Sequence, residues 1–288
     1  MRFALCNEMF EGRPMAEICS TARKLGYHGI EIAPFTLAPS AEDITARQRR
    51  ETRRIIEEAG LQTVGLHWLF AGPTGLHMTT SDNQIRGRTR DYLSCLLDLC
   101  SDLGGTVLVL GSPKQRSIVE GQTKQGAWQR AVELLSSVLD KAGELGLTIC
   151  LEPLSPVETD FINTVAEGMK MVRQIDHPAM KIHLDVKAMC SEQNGGSLKA
   201  EGFGDGSAVP DIIRSVSADD IGHFHVNDAN LYGPGMGDVD YTTIAEAIKD
   251  VGWDKWLSVE VFKYDPDPET IARKSIECLK NLEFRIEN

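Results

Sequence analysis

Residues Leu147–Pro153 read LTICLEP, and residues Met180–Val186 read MKIHLDV. Successive side chains of an extended strand point to opposite faces. Ile149 and Leu151 therefore share one face, with Cys150 and Glu152 on the other. Ile182, Leu184 and Val186 likewise oppose His183 and Asp185. The alternation recurs in Ile221–Asn227 (IGHFHVN), where Phe224 and Val226 oppose His223 and His225. It recurs again in Trp256–Phe262 (WLSVEVF), where Leu257, Val259 and Val261 oppose Ser258 and Glu260. One face of each strand suits packing against helices. The other carries acids and histidines.

Four further runs complete a series of eight: Phe3–Asn7, Gly29–Pro34, Gln62–Trp68 and Thr106–Gly111. Longer helical patterns separate them, such as Ala41–Ala59 and Gly121–Leu145, and several close on a glycine before the next strand, as at Gly26 and Gly252. Strands alternating with helices predict a parallel sheet, and eight such units are the number at which that sheet closes into a (β/α)₈ TIM barrel. A doubly wound sheet would want a glycine-rich phosphate turn after its first strand, and Asn7–Pro14 holds one glycine. No linker divides the chain, so residues 1–288 are expected to form a single domain. The irregular stretch 190–207 (CSEQNGGSLKAEGFGDGS) is expected as a loop insertion at the C-terminal face, where substrate pockets form.

The 288 residues carry 30 Lys and Arg against 42 Asp and Glu, a net charge of −12 that argues against nucleic acid as a partner. No apolar run approaches the roughly 20 residues of a membrane helix, so no membrane partner is expected. The N-terminus meets Glu8 and Glu11 too early for a signal peptide. Seven cysteines, an odd number without CxxC spacing, read as reduced core thiols of a cytoplasmic protein.

A barrel interior is a packed core, and an ionised carboxylate there costs several kcal/mol unless paired or bound to a cation. Glu152, Asp185, His225 and Glu260 all fall at or near the C-terminal ends of strands, the catalytic rim of a barrel. One divalent metal accounts for all four. Three carboxylates and an imidazole suit Mn²⁺, Mg²⁺ or Co²⁺ better than a structural Zn²⁺. The competing account is ion pairing with Lys187, Lys263, Lys114 or Arg116, which explains any one acid but not the pattern repeated over four strands.

These residues resemble the xylose isomerase-like TIM barrels, and among them the D-tagatose/D-psicose 3-epimerase group. The motifs are LEPLSPVETDFINT, HLDVKAM, GHFHVNDANLYGPGMGDVDY and WLSVEVF. The resemblance implies one divalent metal, Mn²⁺ before Mg²⁺ or Co²⁺, on Glu152, Asp185, His225 and Glu260. It implies that Glu152 and Glu260 are the catalytic pair, one removing a proton beside the ketone and the other returning it on the opposite face. The metal would polarise the carbonyl and stabilise a cis-enediolate. Glu158 would bind a substrate hydroxyl or carbonyl end. Relatives of this kind form dimers or tetramers, which implies a homo-oligomer acting on a small carbohydrate.

Two positions depart from the group. Ala188 stands where a substrate-gripping His is found, and Leu231 where an Arg is found. The departures point to a different or larger substrate, such as a 3-keto-glycoside, an inositol-type ketone or a sugar acid. The alternative reaction is a lyase or dehydratase that expels a β-substituent after the same proton abstraction. An endonuclease of the same barrel superfamily needs more histidines and a surface that tolerates DNA. A non-catalytic sugar binder would make Glu152 dispensable.

Other residues carry weaker expectations. His67 and Trp68 end the third strand, where His67 reaches a sugar hydroxyl or sits in the core, and Trp68 packs against the ring. Ser112, Lys114 and Arg116 meet either an acidic substrate group or Glu152 and its neighbours. His183 and His223, one tier deeper, orient carboxylates, and His183 is counted among the substrate contacts. Asp238 and Asp240 cap the seventh helix, while Glu120, Glu201 and Asp205 are solvated loop charges.

Overall fold

The computed structural model describes residues 1–192 and 203–287. Eight strands form a closed parallel barrel in chain order: β1 (Arg2–Cys6), β2 (Gly29–Ile32), β3 (Gln62–Leu66), β4 (Val107–Leu110), β5 (Thr148–Leu151), β6 (Met180–Asp185), β7 (Ile221–Val226) and β8 (Trp256–Val259). Each lies within a residue or so of its expected start. Several stop earlier, because the residues beyond the last ladder bond turn into the loops of the C-terminal rim.

The helices ring the barrel: α1 (Met15–Leu25), α2 (Ala46–Glu58), α3 (Asn83–Asp102), α4 (Lys124–Glu144), α5 (Val165–Ile175), α6 (Val186–Met189), α7 (Val209–Arg214), α8 (Tyr241–Val251) and α9 (Pro268–Glu287). The helix expected over Ala41–Ala59 is broken. A 3₁₀ turn covers Ala41–Asp43, and α2 starts afresh at Thr45, whose hydroxyl accepts from the Gln48 amide in a capping box. Gly26 and Gly252 end α1 and α8 in the left-handed region, at φ of 97° and 76°. Of the expected insertion, Glu201 and residues 193–202 lie outside the described residues.

Strand parity decides where the core sits. Leu5, Ile30, Leu108, Ile149, Leu184 and Val259 face outward into the main apolar cluster shared with the helices. Each such side chain, once buried, contributes roughly 1.5–3 kcal/mol. Inside the barrel, Ala4, Val64, Val107, Cys150 and Trp256 form a separate apolar plug near the strands' N-terminal ends. Above the plug the interior turns polar.

Strict alternation from Val64 would place Leu66 inside and His67 outside. Instead the β2–β3 register slips, with Ile30 opposite Thr63 and Glu31 opposite Gly65, so Val64 is an extra residue. That bulge lets Val64 fill the plug and still turns His67 inward.

Candidate active site

At the C-terminal mouth lies a cavity of about 570 Å³, walled by Trp68, Phe70, Leu154 and Phe262 and carrying Glu152, Glu158, Lys187 and Glu260. Glu152 follows β5 and Glu260 follows β8, three strands apart around the ring, so they reach the same cavity from different sides. Metal-competent atoms of Glu152, His183, Asp185 and His225 all lie within 4.8 Å of one another. Glu260 joins this group through His225, whose Nδ1 is 3.2 Å from Glu260 Oε2. The structure thus brings the four expected ligands to one place, and puts His183 in the tightest group with three of them.

Asp185 and Glu260 are held by identifiable partners. Asp185 Oδ1 accepts from the Ala188 amide at 2.6 Å, and its Oδ2 accepts from Asn227 Nδ2 at 2.6 Å. Asn227 Oδ1 in turn accepts from the Lys187 amide at 2.7 Å, which fastens the ends of β6 and β7 together. Glu260 Oε1 accepts from the Trp68 indole at 2.8 Å. The Glu152 carboxylate occupies the space left by a missing side chain, since a Cβ on Gly111 would overlap its Oε2.

Arg116, expected near these acids, is fully buried and donates to backbone carbonyls of Glu152 and Leu110 instead. It ties the ends of β4 and β5. Lys114 is exposed at the cavity rim.

Beneath the ligands runs a network of carboxylates and imidazoles that sequence reading did not pick out. Glu31, fully buried on β2, accepts from His225 Nε2 at 2.9 Å and His223 Nε2 at 2.7 Å, and lies 3.6 Å from His67 Nδ1. With its Nε2 so engaged, His225 is left with Nδ1 as the atom turned toward Glu260. This arrangement fixes the ring angle of His225 and would leave Nδ1 as its atom for a metal. Glu8, in a 3₁₀ turn after β1, meets His67 Nε2 at 2.6 Å.

The signal for Glu31 was present, because GIEI alternates like the four strands read above. Glu8 lies past the end of its strand, where parity no longer speaks.

His67 lines the cavity, but its Nε2 belongs to Glu8. Trp68 is 39% exposed there and has a left-handed backbone, φ 51°. His183 was expected to touch substrate or orient carboxylates. It is fully buried and absent from the cavity wall, and neither ring nitrogen has a hydrogen-bond partner among the described residues. Its ring instead packs edge-on against His225, 4.3 Å between centroids. His223 is held by Glu31 and Ser258. Asp240 caps α8, accepting from the Thr242 amide at 2.9 Å, whereas Asp238 lies outside that cap. Glu120 and Asp205 are exposed.

The electrostatics describe an anionic site short of positive charge. Burial, followed by repulsion from Glu260 and Asp185, pushes Glu152 well above the usual carboxylate range. Burial likewise raises Asp185. Burial also works against ionised Glu260, but its contact with His225 outweighs that and holds it down to about 2. Glu31 is kept well below the usual range, against its burial, by His225 and His223. Burial, then the neighbouring His225 and His223, leave His183 neutral. A divalent cation fits this donor set: it offsets the burial and the repulsion that raise Glu152, and it gives the unpartnered His183 nitrogens a counterpart nearby.

All seven cysteines are free thiols. Among the described residues no helix is long and apolar enough to cross a membrane.

The family described as the xylose isomerase-like TIM barrel matches residues 19–282. The D-psicose 3-epimerase of Ruminiclostridium cellulolyticum is 28% identical over 247 residues, 83% of this chain and 75% of that protein. The L-ribulose 3-epimerase of Mesorhizobium japonicum is 25% identical over 260 residues, 89% of this chain and 78% of that protein. A crystal structure of D-psicose 3-epimerase in the presence of D-fructose superposes with a TM-score of 0.81 at 20% identity, covering 98% of this chain and 99% of that one.

Proposed function

The chain belongs to the xylose isomerase-like TIM-barrel family, and from that membership and the site geometry we propose a divalent-metal-dependent epimerase of a keto sugar. The observation that carries the proposal is the placement of Glu152 and Glu260 at two sides of one cavity, above a compact group of carboxylate and imidazole donors.

Glu152, Asp185, His225 and Glu260 would hold the cation, Mn²⁺ by preference and Mg²⁺ or Co²⁺ otherwise. When bound it supplies a Lewis acid that acidifies the C–H next to a ketone. The protein's own groups do the rest. Glu260, fixed by Trp68 and His225, presents a carboxylate from the β8 side, and Glu152 presents one from the β5 side. One takes the proton, leaving a planar enediolate. The other delivers a proton to the opposite face, which inverts the centre.

Trp68, Phe70 and Phe262 form apolar walls of the cavity. Glu158, Trp68 and Lys114 line it as substrate contacts, and His67 contributes through its pairing with Glu8. On this reading the whole chain is one catalytic domain for a small carbohydrate, working as a homo-oligomer in the cytoplasm. Free thiols are consistent with that compartment.

The test is turnover of a ketose panel in D₂O by Mn²⁺-loaded protein, followed by NMR. The expected product is the epimer next to the carbonyl carrying deuterium at the inverted carbon. Glu152→Gln should lose at least ~10²-fold in rate. Epimer without deuterium there, or an unsaturated product in its place, would overturn the proposal, and the latter would favour elimination.

A further inference from the structure

We propose that Cys6, Glu31, His67 and His225 form a second metal site, buried beneath the rim ligands and suited to a structural Zn²⁺. The inference goes beyond the epimerase reading, which makes no use of Cys6 or Glu31 as ligands.

The four side chains come from four strands. Cys6 and Glu31 are register partners on β1 and β2, His67 follows β3, and His225 lies on β7. None is more than 1% exposed. Donor atoms of Cys6, Glu31 and His67 lie within 4.8 Å of one another. His225 Nε2 joins them, 2.9 Å from Glu31 Oε1 and 4.0 Å from Cys6 Sγ. His67 Nδ1 is 3.6 Å from the same Oε1. A tetrahedral ion with bonds of about 2.0–2.3 Å holds its ligand atoms about 3.3–3.8 Å apart. The separations of 2.9, 3.6 and 4.0 Å straddle that spacing.

His67 Nδ1 is the atom that points to a ligand. It is buried on the side of Glu31, and no described residue hydrogen-bonds it. The far nitrogen of each imidazole is seated on a carboxylate. His67 Nε2 is 2.6 Å from Glu8 Oε2, and His225 Nδ1 is 3.2 Å from Glu260 Oε2. Glu31 keeps its second oxygen on His223 Nε2 at 2.7 Å. Metal-ligating imidazoles are commonly held in this way, by a carboxylate on the nitrogen that does not ligate.

The donors select the ion. One thiolate, two imidazoles and one carboxylate make a four-coordinate set softer than the three carboxylates and imidazole of the rim. Cys6, Glu31 and His225 are absent from the cavity wall, so no coordination position opens toward substrate, as in a structural site. The Cys6 thiolate and the Glu31 carboxylate neutralise the ion. It therefore adds no net charge beneath the cation proposed for Glu152, Asp185, His225 and Glu260. Binding displaces the Cys6 thiol proton and the proton between His225 and Glu31. With both ions bound, His225 bridges them as an imidazolate, Nε2 below and Nδ1 above. The lower ion ties β7 to β1, β2 and β3 through the barrel interior.

The experiment strips the full chain with a chelator, reloads it with Zn²⁺ or Co²⁺, and removes the excess. The variants are Cys6→Ser and Cys6→Ala for the lower site and Asp185→Asn for the rim. Circular dichroism establishes that each is folded. The wild type is expected to retain about two equivalents of zinc and the Cys6 variants about one. With Co²⁺ the wild type should show a thiolate-to-cobalt charge-transfer band in the near ultraviolet. The band should survive in Asp185→Asn and vanish in Cys6→Ser. X-ray absorption of the zinc-loaded wild type should show one sulfur neighbour at about 2.3 Å.

A wild type with neither the band nor the sulfur neighbour overturns the proposal, and leaves Glu31 neutralised by its imidazoles alone. A band that survives in Cys6→Ser, or is lost in Asp185→Asn, overturns it too, because the thiolate then belongs elsewhere. If neither Cys6 variant folds, the sulfur neighbour in the wild type decides, since Cys6 is the one thiol in any such donor group among the described residues.

Discussion

The indole N–H of Trp68 donates a 2.8 Å hydrogen bond to Oε1 of Glu260, linking the end of β3 to the end of β8. The residue holding this bond has a left-handed backbone, φ 51°, which is uncommon for a bulky side chain and marks a position fixed by its surroundings. Phe35 and Phe262 pack obliquely on the indole, 5.8 and 6.3 Å between ring centres. Trp68 therefore aims a carboxylate as well as walling the cavity.

Trp68→Phe keeps the ring and deletes the donor. A hydrogen bond to a charged acceptor contributes about 1.5–3 kcal/mol, so kcat/KM should fall about tenfold or more while the thermal midpoint moves little. Steady-state kinetics beside a melting curve check this. Full activity in Trp68→Phe would mean that His225 alone positions Glu260.

Gly111→Ala tests the space that Glu152 occupies. Gly111 does not need a left-handed backbone, so its substitution acts through the Cβ that overlaps Glu152 Oε2. The carboxylate must swing away. Metal affinity should drop about tenfold or more and epimerisation should be largely lost, with the circular dichroism spectrum retained. Metal titration by calorimetry is the readout, and wild-type affinity would contradict the geometry.

Glu31→Gln removes the charge that two imidazoles share. Metal affinity should fall about 10–100-fold, as for other partners of ligating histidines. Stability should fall as well, by about 3–5 kcal/mol, because buried His225, whose charged form Glu31 favours, loses its counter-charge. Urea unfolding of metal-free protein separates the stability loss from the binding loss.

The response to pH has two opposite components. Glu31 is held below its unfolded value, so the stability it contributes is present above the ordinary carboxylate pKa and disappears as pH falls through the lowered one. Glu152 is held above its unfolded value. Its protonated form is favoured in the metal-free fold at low pH, and that advantage is lost as pH rises through the raised value. A cation must displace that proton. The rise in thermal midpoint produced by Mn²⁺ should therefore grow between about pH 5 and about pH 8. Melting curves with and without metal across that range decide it, and a flat difference would show that Glu152 is already ionised without the metal.

Much of the candidate site was legible from alternation alone. Glu152, Asp185, His225 and Glu260 each sit opposite an apolar face on a strand, and a strand in a closed barrel has an interior face for its polar side chains. His183 obeys the same parity, yet depth along the strand leaves it beneath the cavity rather than in it. His67 faces inward because of the extra residue Val64, and no count of alternation anticipates a register slip between two strands distant in sequence. Arg116 looked like a partner for acid side chains and proved to bind carbonyls, because the chain ends it holds together are neighbours only in the barrel.

Local pattern thus determined the eight strands, their inward faces and the three carboxylates and one imidazole they carry to the rim, since periodicity is a property of adjacent residues. Closure of the barrel decided the rest. It set Glu31 among three histidines, Trp68 against Glu260, the Glu152 carboxylate over Gly111, and Lys187 between Glu158 and Phe262. Those contacts join side chains from separate strands and loops, and their distances depend on register and twist, which are fixed only when the whole sheet closes on itself.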